Sequence, residues 1–338
     1  MQMEYRRLQM SKGGSFLLSL PKEWVLRSNL KGGDVLRLAE GEGGIMTIRS
    51  EESSEPERGV TETIREAEGL ERQIRTNYLF GTDTIVIDLG KRMTPAIRDQ
   101  VKSAIQKLIG LEIVGEEANS MTIQCLLQPS SMPIKSTLKR AYILAASMHK
   151  ESEQALVQGD EELAQSVSRR DDEVDRLYFL IVRQLRIALS NPEVAEKLGV
   201  GLPECLDLRM AAKYVETIAD LSSAVAEAVP RLEGKEVGRE LMDGLTRLSG
   251  AAYRIHEEAA QALFRQDVKL AEIVMNKHSE LVNEFVSVNE LLTSGQPAMA
   301  ALLDSVAMFF YQIGSHGIDL AELVSGARAS LQDRIAKK

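Results

Sequence analysis

Aromatic residues make up only 4% of this 338-residue chain, and there is a single tryptophan, Trp24. Large β-sandwiches draw on aromatic and β-branched side chains. Their scarcity, beside abundant Ala, Leu and Val, favours helices. Cysteine is scarce too: Cys125 and Cys205 are the only two, far apart and outside any CxxC pair. That excludes a disulfide framework and a cysteine-based zinc site, and it fits a reducing cytoplasm. No apolar run approaches the roughly 20 residues a membrane span needs, and the opening MQMEYRRLQMSKGG lacks the apolar core of a signal peptide. There is no GxxxxGK[ST] loop, and HEEAA at 256 lacks the second histidine of a zinc-protease motif. The four histidines and scattered serines show no spacing that suits nucleophilic catalysis. An enzyme is not expected.

What is present is unevenly charged. The net charge is −9, so the whole molecule is not a general polyanion binder. Through Arg49, however, eight basic residues face five acidic ones, a balance of +3 that leaves −12 for the remainder. A small basic head on an acidic body directs attention to an anionic partner at the head. The length suggests two or three domains. In the head, residues 1–50, SFLLSL, VLRLAE and IMTIR read as strands and PKEWVLRSNL as a short helix beginning at Pro21. Turns are expected at KGGD and GEGG. A polar, acidic linker follows at 51–60.

Residues 61–130 read as a small α/β unit. A helix is expected over about Thr61–Leu79, then a strand at DTIVIDL. The next helix starts at TPAIRD, with Thr94 as its cap and Pro95 at its first position, and two strands flank a turn at Glu117–Asn119. From Ile134 onward the pattern is helical, with breaks that leave about six long helices. That half is a repeat. HKESEQALVQGDEELAQSV aligns without gaps on HEEAAQALFRQDVKLAEIV at an offset of 107, so His149 matches His256 and Asp160 matches Asp267. Further on, IADLSSAVAEAV matches IGSHGIDLAELV at an offset of 95. Two copies of a three-helix unit, 134–232 and 235–330, are implied.

The chemistry that stands out is acidic. In RRDDEVDRLY, helical spacing puts Asp171 and Asp175 on one face and turns Asp172 and Glu173 away. On the third helix of the same copy Glu216 and Asp220 are again four apart, in one stripe with Arg209 and Lys213. Two carboxylates about 4 Å apart repel by roughly 4 kcal/mol at an effective dielectric of 20, so four together need a counter-charge. A hard cation held between facing helices would supply it. So would Arg209 and Lys213 paired with Asp171 and Asp175, and spacing alone leaves both accounts open. The second copy has His278, Val282, Tyr311 and Ser315 at the four positions, so the cluster occurs once.

DDEVD, ETIAD and the paired repeats resemble the PhoU family of phosphate-transport regulators, whose two three-helix repeats carry acid-xxx-acid motifs on their second and third helices. The resemblance covers about 134–328, and YQIGSH keeps Ile313, Gly314 and His316 of the family's third-helix pattern while losing both acids. It implies that Asp171, Asp175, Glu216 and Asp220 bind a divalent or trivalent metal such as Fe, Zn, Mg or Mn. In the second copy His278 and His316 are expected to be packing or surface residues.

The head run GGSFLLSLPKEWVLRSNLKGGDVLRL is similar to the SpoVT/AbrB DNA-binding domain, in which two chains swap β-hairpins. This implies a homodimer, with Trp24 packed in its core and DNA contacts from Arg6, Arg7, Lys12 and Lys22. Head and body together resemble archaeal phosphate-uptake regulators. The expected protein is thus mainly α and multidomain, with a swapped-hairpin β domain, a small α/β unit and two tandem three-helix bundles. As a transcriptional regulator its partner is DNA. As an adaptor it would be a phosphate ABC transporter or a sensor kinase.

Overall fold

The computed structural model describes residues 5–41, 45–50, 59–128, 131–292 and 297–335. The chain forms two compact units, Met1–Gly59 and Val60–Lys338. The GEGG turn, the linker and the TSGQP break expected from the sequence fall largely outside the described residues.

In the first unit β1 (Gln9–Met10) pairs antiparallel with β2 (Phe16–Leu17). Helix α1 (Lys22–Arg27) starts directly after Pro21, whose missing N–H does no harm at a helix end. Strands β3 (Leu36–Gly41) and β4 (Ile45–Ser50) form an antiparallel pair with Leu36 opposite Ser50. The KGGD turn closes when the Lys31 N–H donates to Asp34 at 2.5 Å. Gly33 sits there at φ +102°, which side-chain-bearing residues rarely adopt. Of the head residues whose burial is described, Leu30 alone is buried, while Leu8, Met10, Phe16, Leu17, Leu18, Leu26, Val35 and Leu38 lie exposed.

The second unit opens with β5 (Thr61–Ile64), α2 (Leu70–Leu79), β6 (Thr84–Asp88), α3 (Pro95–Gln106), β7 (Leu111–Glu116) and β8 (Ser120–Cys125). Its sheet has the order β5-β6-β8-β7, with β5 parallel to β6 and the other pairs antiparallel. Alternation along β6 and β8 buries Ile85, Ile87, Met121 and Ile123 against Leu70, Ile74 and Tyr78 of α2. Thr94 caps α3, its hydroxyl accepting the Ile97 N–H. The helix expected over Thr61–Leu79 is corrected: its first four residues are a strand and only Leu70–Leu79 is helical. Thr61–Ile64 finds its hydrogen bonds on Thr84–Ile87, a pairing that local periodicity cannot reveal.

The rest is helical: α4 (Ile134–Gln158), α5 (Glu161–Ser190), α6 (Pro192–Leu198), α7 (Leu202–Ala228), a 3-10 turn at Val229–Leu232, α8 (Arg239–Arg265), α9 (Val268–Met275), α10 (His278–Leu292) and α11 (Pro297–Ile335). No described helix is long and apolar enough to cross a membrane. Helices α4, α5 and α7 pack on one another, as do α8, α10 and α11. The second copy departs from the expected three long helices, because its middle element is interrupted at Asn276 and Lys277, between α9 and α10. Equivalent positions keep equivalent jobs. Asp160 and Asp267 each cap a helix by accepting the N–H three residues on, from Leu163 and Leu270. Arg170 pairs with Glu151, and Lys277, 107 residues later, pairs with Glu258. A single core spans both copies.

The α/β layer is tied to α5 by Arg183. Its buried guanidinium donates to the carbonyls of Tyr78 and Thr82, each at 2.8 Å, and to Asp83 Oδ1 at 2.9 Å. Nearby, Gly81 has φ +89° and no side chain, and a Cβ there would lie 2.9 Å from Ile187 Cγ1.

Candidate metal centre

Helices α5 and α7 run against each other, and the 3.6-residue period turns two carboxylates of each toward the seam. Asp171 and Asp175 are half-buried on α5, and their neighbours Asp172 and Glu173 point to solvent, as the spacing predicts. On α7, Glu216 is buried and Asp220 stands at the exposed edge. One carboxylate oxygen from each of Asp175, Glu216 and Asp220 lies within 4.8 Å of the others. Asp171 stands beside this trio rather than in it. Its Oδ1 is buried with no hydrogen-bond partner.

The basic residues do not answer the acids as a salt-bridge network requires. Arg209 donates to the Tyr178 hydroxyl at 2.8 Å and lies over that ring. Lys213 pairs with Glu216, one turn along its own helix. Among the described residues no Lys, Arg or His comes within ion-pair distance of Asp171, Asp175 or Asp220. Four carboxylates therefore share one close ammonium. The electrostatic consequence is uniform in sign. Burial, then Asp175, Asp172 and Glu216, push Asp171 up to about 6. Burial, then Glu216, Asp171 and Asp175, push Asp220 up to about 7, against the opposing pull of Lys213. Asp175 is raised for the same reasons, burial first and Glu216 next. Lys213 is held above its ordinary value: burial works against its charge, but Glu216 and Asp220 outweigh it.

An all-oxygen donor set of this charge suits a hard cation. A spread of 4.8 Å is close to the span of opposite donors around one such ion, about twice a bond of roughly 2.4 Å. Among the described residues no His or Cys joins the three donors, which favours Mg, Mn, Ca or ferric iron over zinc. Asp175, Glu216 and Asp220 would hold the ion. Asp171, with its orphaned oxygen, would join by a side-chain shift or accept from a bound water.

At the equivalent place in the second copy the chemistry is apolar. Tyr311 stacks on Phe285 with ring centroids 4.8 Å apart, Val282 is half-buried and His278 is exposed. His316 stacks on Tyr214 of the first copy and meets Asp319 at 3.1 Å. In the head Arg6, Arg7, Lys12 and Lys22 are all exposed, and Trp24 is half-buried.

Residues 138–229 match the family model of the PhoU domain. The match runs from α4 through α7, the copy that holds all four acids. The body has a PhoU-like fold. Over 56% of its length the chain superposes on the crystal structure of PhoU from Pseudomonas aeruginosa with a TM-score of 0.52 and 21% identity, covering 93% of that chain. The phosphate transport system regulatory protein PhoU from Streptococcus pneumoniae superposes with a TM-score of 0.51 and 12% identity, over 56% of this chain and 91% of that one. The chain matches no curated protein.

Proposed function

We propose that the protein is a regulator of phosphate uptake whose PhoU-like body binds a hard divalent or trivalent cation and whose head acts on DNA as a homodimer. The observation that carries the reading is the Asp175–Glu216–Asp220 cluster, with oxygens within 4.8 Å of one another and, among the described residues, Lys213 as its one ion-pair partner. Metal content of the purified protein tests it. Wild type should retain metal, and Asp171→Asn/Asp175→Asn should lose it. Equal content in the two would leave the cluster without a ligand.

The head's apolar side chains support the homodimer. Met10, Phe16 and Leu17 lie on two-residue strands and are 74%, 65% and 56% exposed. A two-stranded ribbon is marginal in water without a covered face, and a second copy supplies one. Bases from both chains, including Arg6, Arg7, Lys12 and Lys22, would then neutralise phosphates and make binding salt-dependent, with little base specificity of their own.

A second reading is that of an adaptor. The two PhoU structures are matched over 93% and 91% of their length by 56% of this chain, so the PhoU fold needs no counterpart of the remaining residues. On that reading the body docks a phosphate ABC transporter or sensor kinase, and the head only dimerises. A gel-shift on the protein's own upstream DNA separates the two. A salt-sensitive complex lost in Arg6→Ala/Arg7→Ala supports the regulator, and no shift at low salt supports the adaptor.

A further inference from the structure

His149 and His256 occupy the same position in the two copies, and the fold brings them together. The Nδ1 of His149 is 2.9 Å from the Nε2 of His256, and both rings are fully buried. The contact continues in both directions. His149 Nε2 is 3.1 Å from Ser249 Oγ, which in turn meets Glu153 Oε2. His256 Nδ1 is 3.1 Å from the Tyr142 hydroxyl, which also lies 3.2 Å from the His256 carbonyl. Tyr142, His149 and Glu153 belong to α4, and Ser249 and His256 to α8. Every side-chain link therefore passes from one repeat to the other.

The proton inventory of this chain does not match its links. There are five: carbonyl to Tyr142, Tyr142 to His256, His256 to His149, His149 to Ser249, and Ser249 to Glu153. With neutral imidazoles and an ionised Glu153, the tyrosine, the two histidines and the serine bring one proton each. That is one too few. The carboxylate can only accept, so Ser249 donates to it, His149 donates from Nε2 to Ser249, and His256 donates from Nε2 to His149. Tyr142 donates to His256, and the carbonyl link is left empty. One more proton, held by Glu153, fills all five links. Every donor then reverses, and both rings carry their proton on Nδ1.

We propose that Tyr142, His256, His149, Ser249 and Glu153 form a proton-binding site across the repeat boundary, which takes one proton from solvent onto Glu153 and switches both imidazole tautomers together. The surroundings keep that proton off the rings. Burial pushes His149 down to about 3 and holds His256 well below its ordinary value, and Lys150 adds to both effects. The charged and titratable neighbours are Lys150 on α4, which sits 4.2 Å from the Tyr253 ring, and Tyr253 and Glu257 on α8. From α11 the site meets the Phe310 ring and the backbone at Gly317, where any Cβ would come within 2.9 Å of His256. His316 of α11 faces Tyr214 and Asp319 instead.

Nitrogen-15 NMR of the histidine-labelled full chain tests this. His278→Gln and His316→Gln identify the other two rings. Between about pH 8 and about pH 4, where carboxyls and imidazoles ordinarily titrate, both rings should pass from the Nε2–H to the Nδ1–H form with one shared midpoint. In Glu153→Gln the amide N–H replaces the missing proton, so both rings should show Nδ1–H throughout. In Ser249→Ala the response to pH should vanish. Separate midpoints, doubly protonated rings, or tautomers that still follow pH in either variant would overturn the proposal.

Discussion

The two copies of the three-helix unit differ most where they would be expected to agree. Both keep the helix-capping aspartates, Asp160 and Asp267, and both keep an ion pair between first and second helices, Arg170–Glu151 and Lys277–Glu258. At the seam between second and third helices they diverge. The first copy gathers Asp171, Asp175, Glu216 and Asp220, and the second stacks Phe285 on Tyr311. The lesson is that the shared pairs specify the architecture, whereas the seam is free to be either a charged cleft or an apolar one. A charged cleft without a counter-ion strains the fold through self-repulsion, and an apolar one stabilises it through burial. The repeats thus separate a seam of gathered carboxylates from a seam of packed rings.

The sharpest way to break that comparison is to remove the cleft. Asp175→Asn/Asp220→Asn should weaken Mn²⁺ binding by at least about a hundredfold, since even indirect supports of a metal site are worth ~10–100-fold; titration calorimetry measures it. Next in size is the effect of the ion on stability. A metal present at about a hundred times its dissociation constant stabilises by about 2.7 kcal/mol. EDTA should therefore lower the wild-type melting temperature and leave the double variant unmoved. In the second copy Tyr311→Ala should cost about 1–3 kcal/mol by urea denaturation with metal affinity unchanged.

Acidity separates the regions by sign. In metal-free protein Asp171 and Asp220 are held above their unfolded values, at about 6 and about 7. The folded state therefore binds these protons more tightly, and the two groups add stability as pH falls from about 7 toward about 4. His149 is held below its unfolded value, at about 3. Its contribution is complete above about 6.5 and is lost as pH drops toward 3. Urea midpoints of the metal-free wild type against Asp171→Asn/Asp220→Asn, taken across that range, should show the variant losing the gain and keeping the loss. The smallest effect expected is from Lys213→Met. Without its ammonium beside Glu216 the cleft should bind a cation several-fold more tightly, a change of about 1 kcal/mol.

The sequence carries the repeat and the facing carboxylates in legible form, because both depend on spacing along one helix. Asp171 and Asp175 turn inward and Asp172 and Glu173 outward, as a 3.6-residue period requires. What spacing cannot carry is the choice made across helices. Arg209 goes to Tyr178 and Lys213 to Glu216, which leaves the α5 acids without the partners that the same stripe could have offered. Likewise His149 and His256 are visible as matched positions, but their meeting depends on how one repeat folds back on the other. Thr61–Ile64 departs from its expected helix for the same reason, a hydrogen-bond partner on another strand.

Helix α5 carries Asp171, Asp175 and Arg183 on one unbroken rod. At 1.5 Å per residue the first and last of these are about 18 Å apart. The guanidinium grips the last turn of α2 and the loop that leads into β6 at three points, so the helix that carries the acids is also the anchor of an inner strand of the neighbouring sheet.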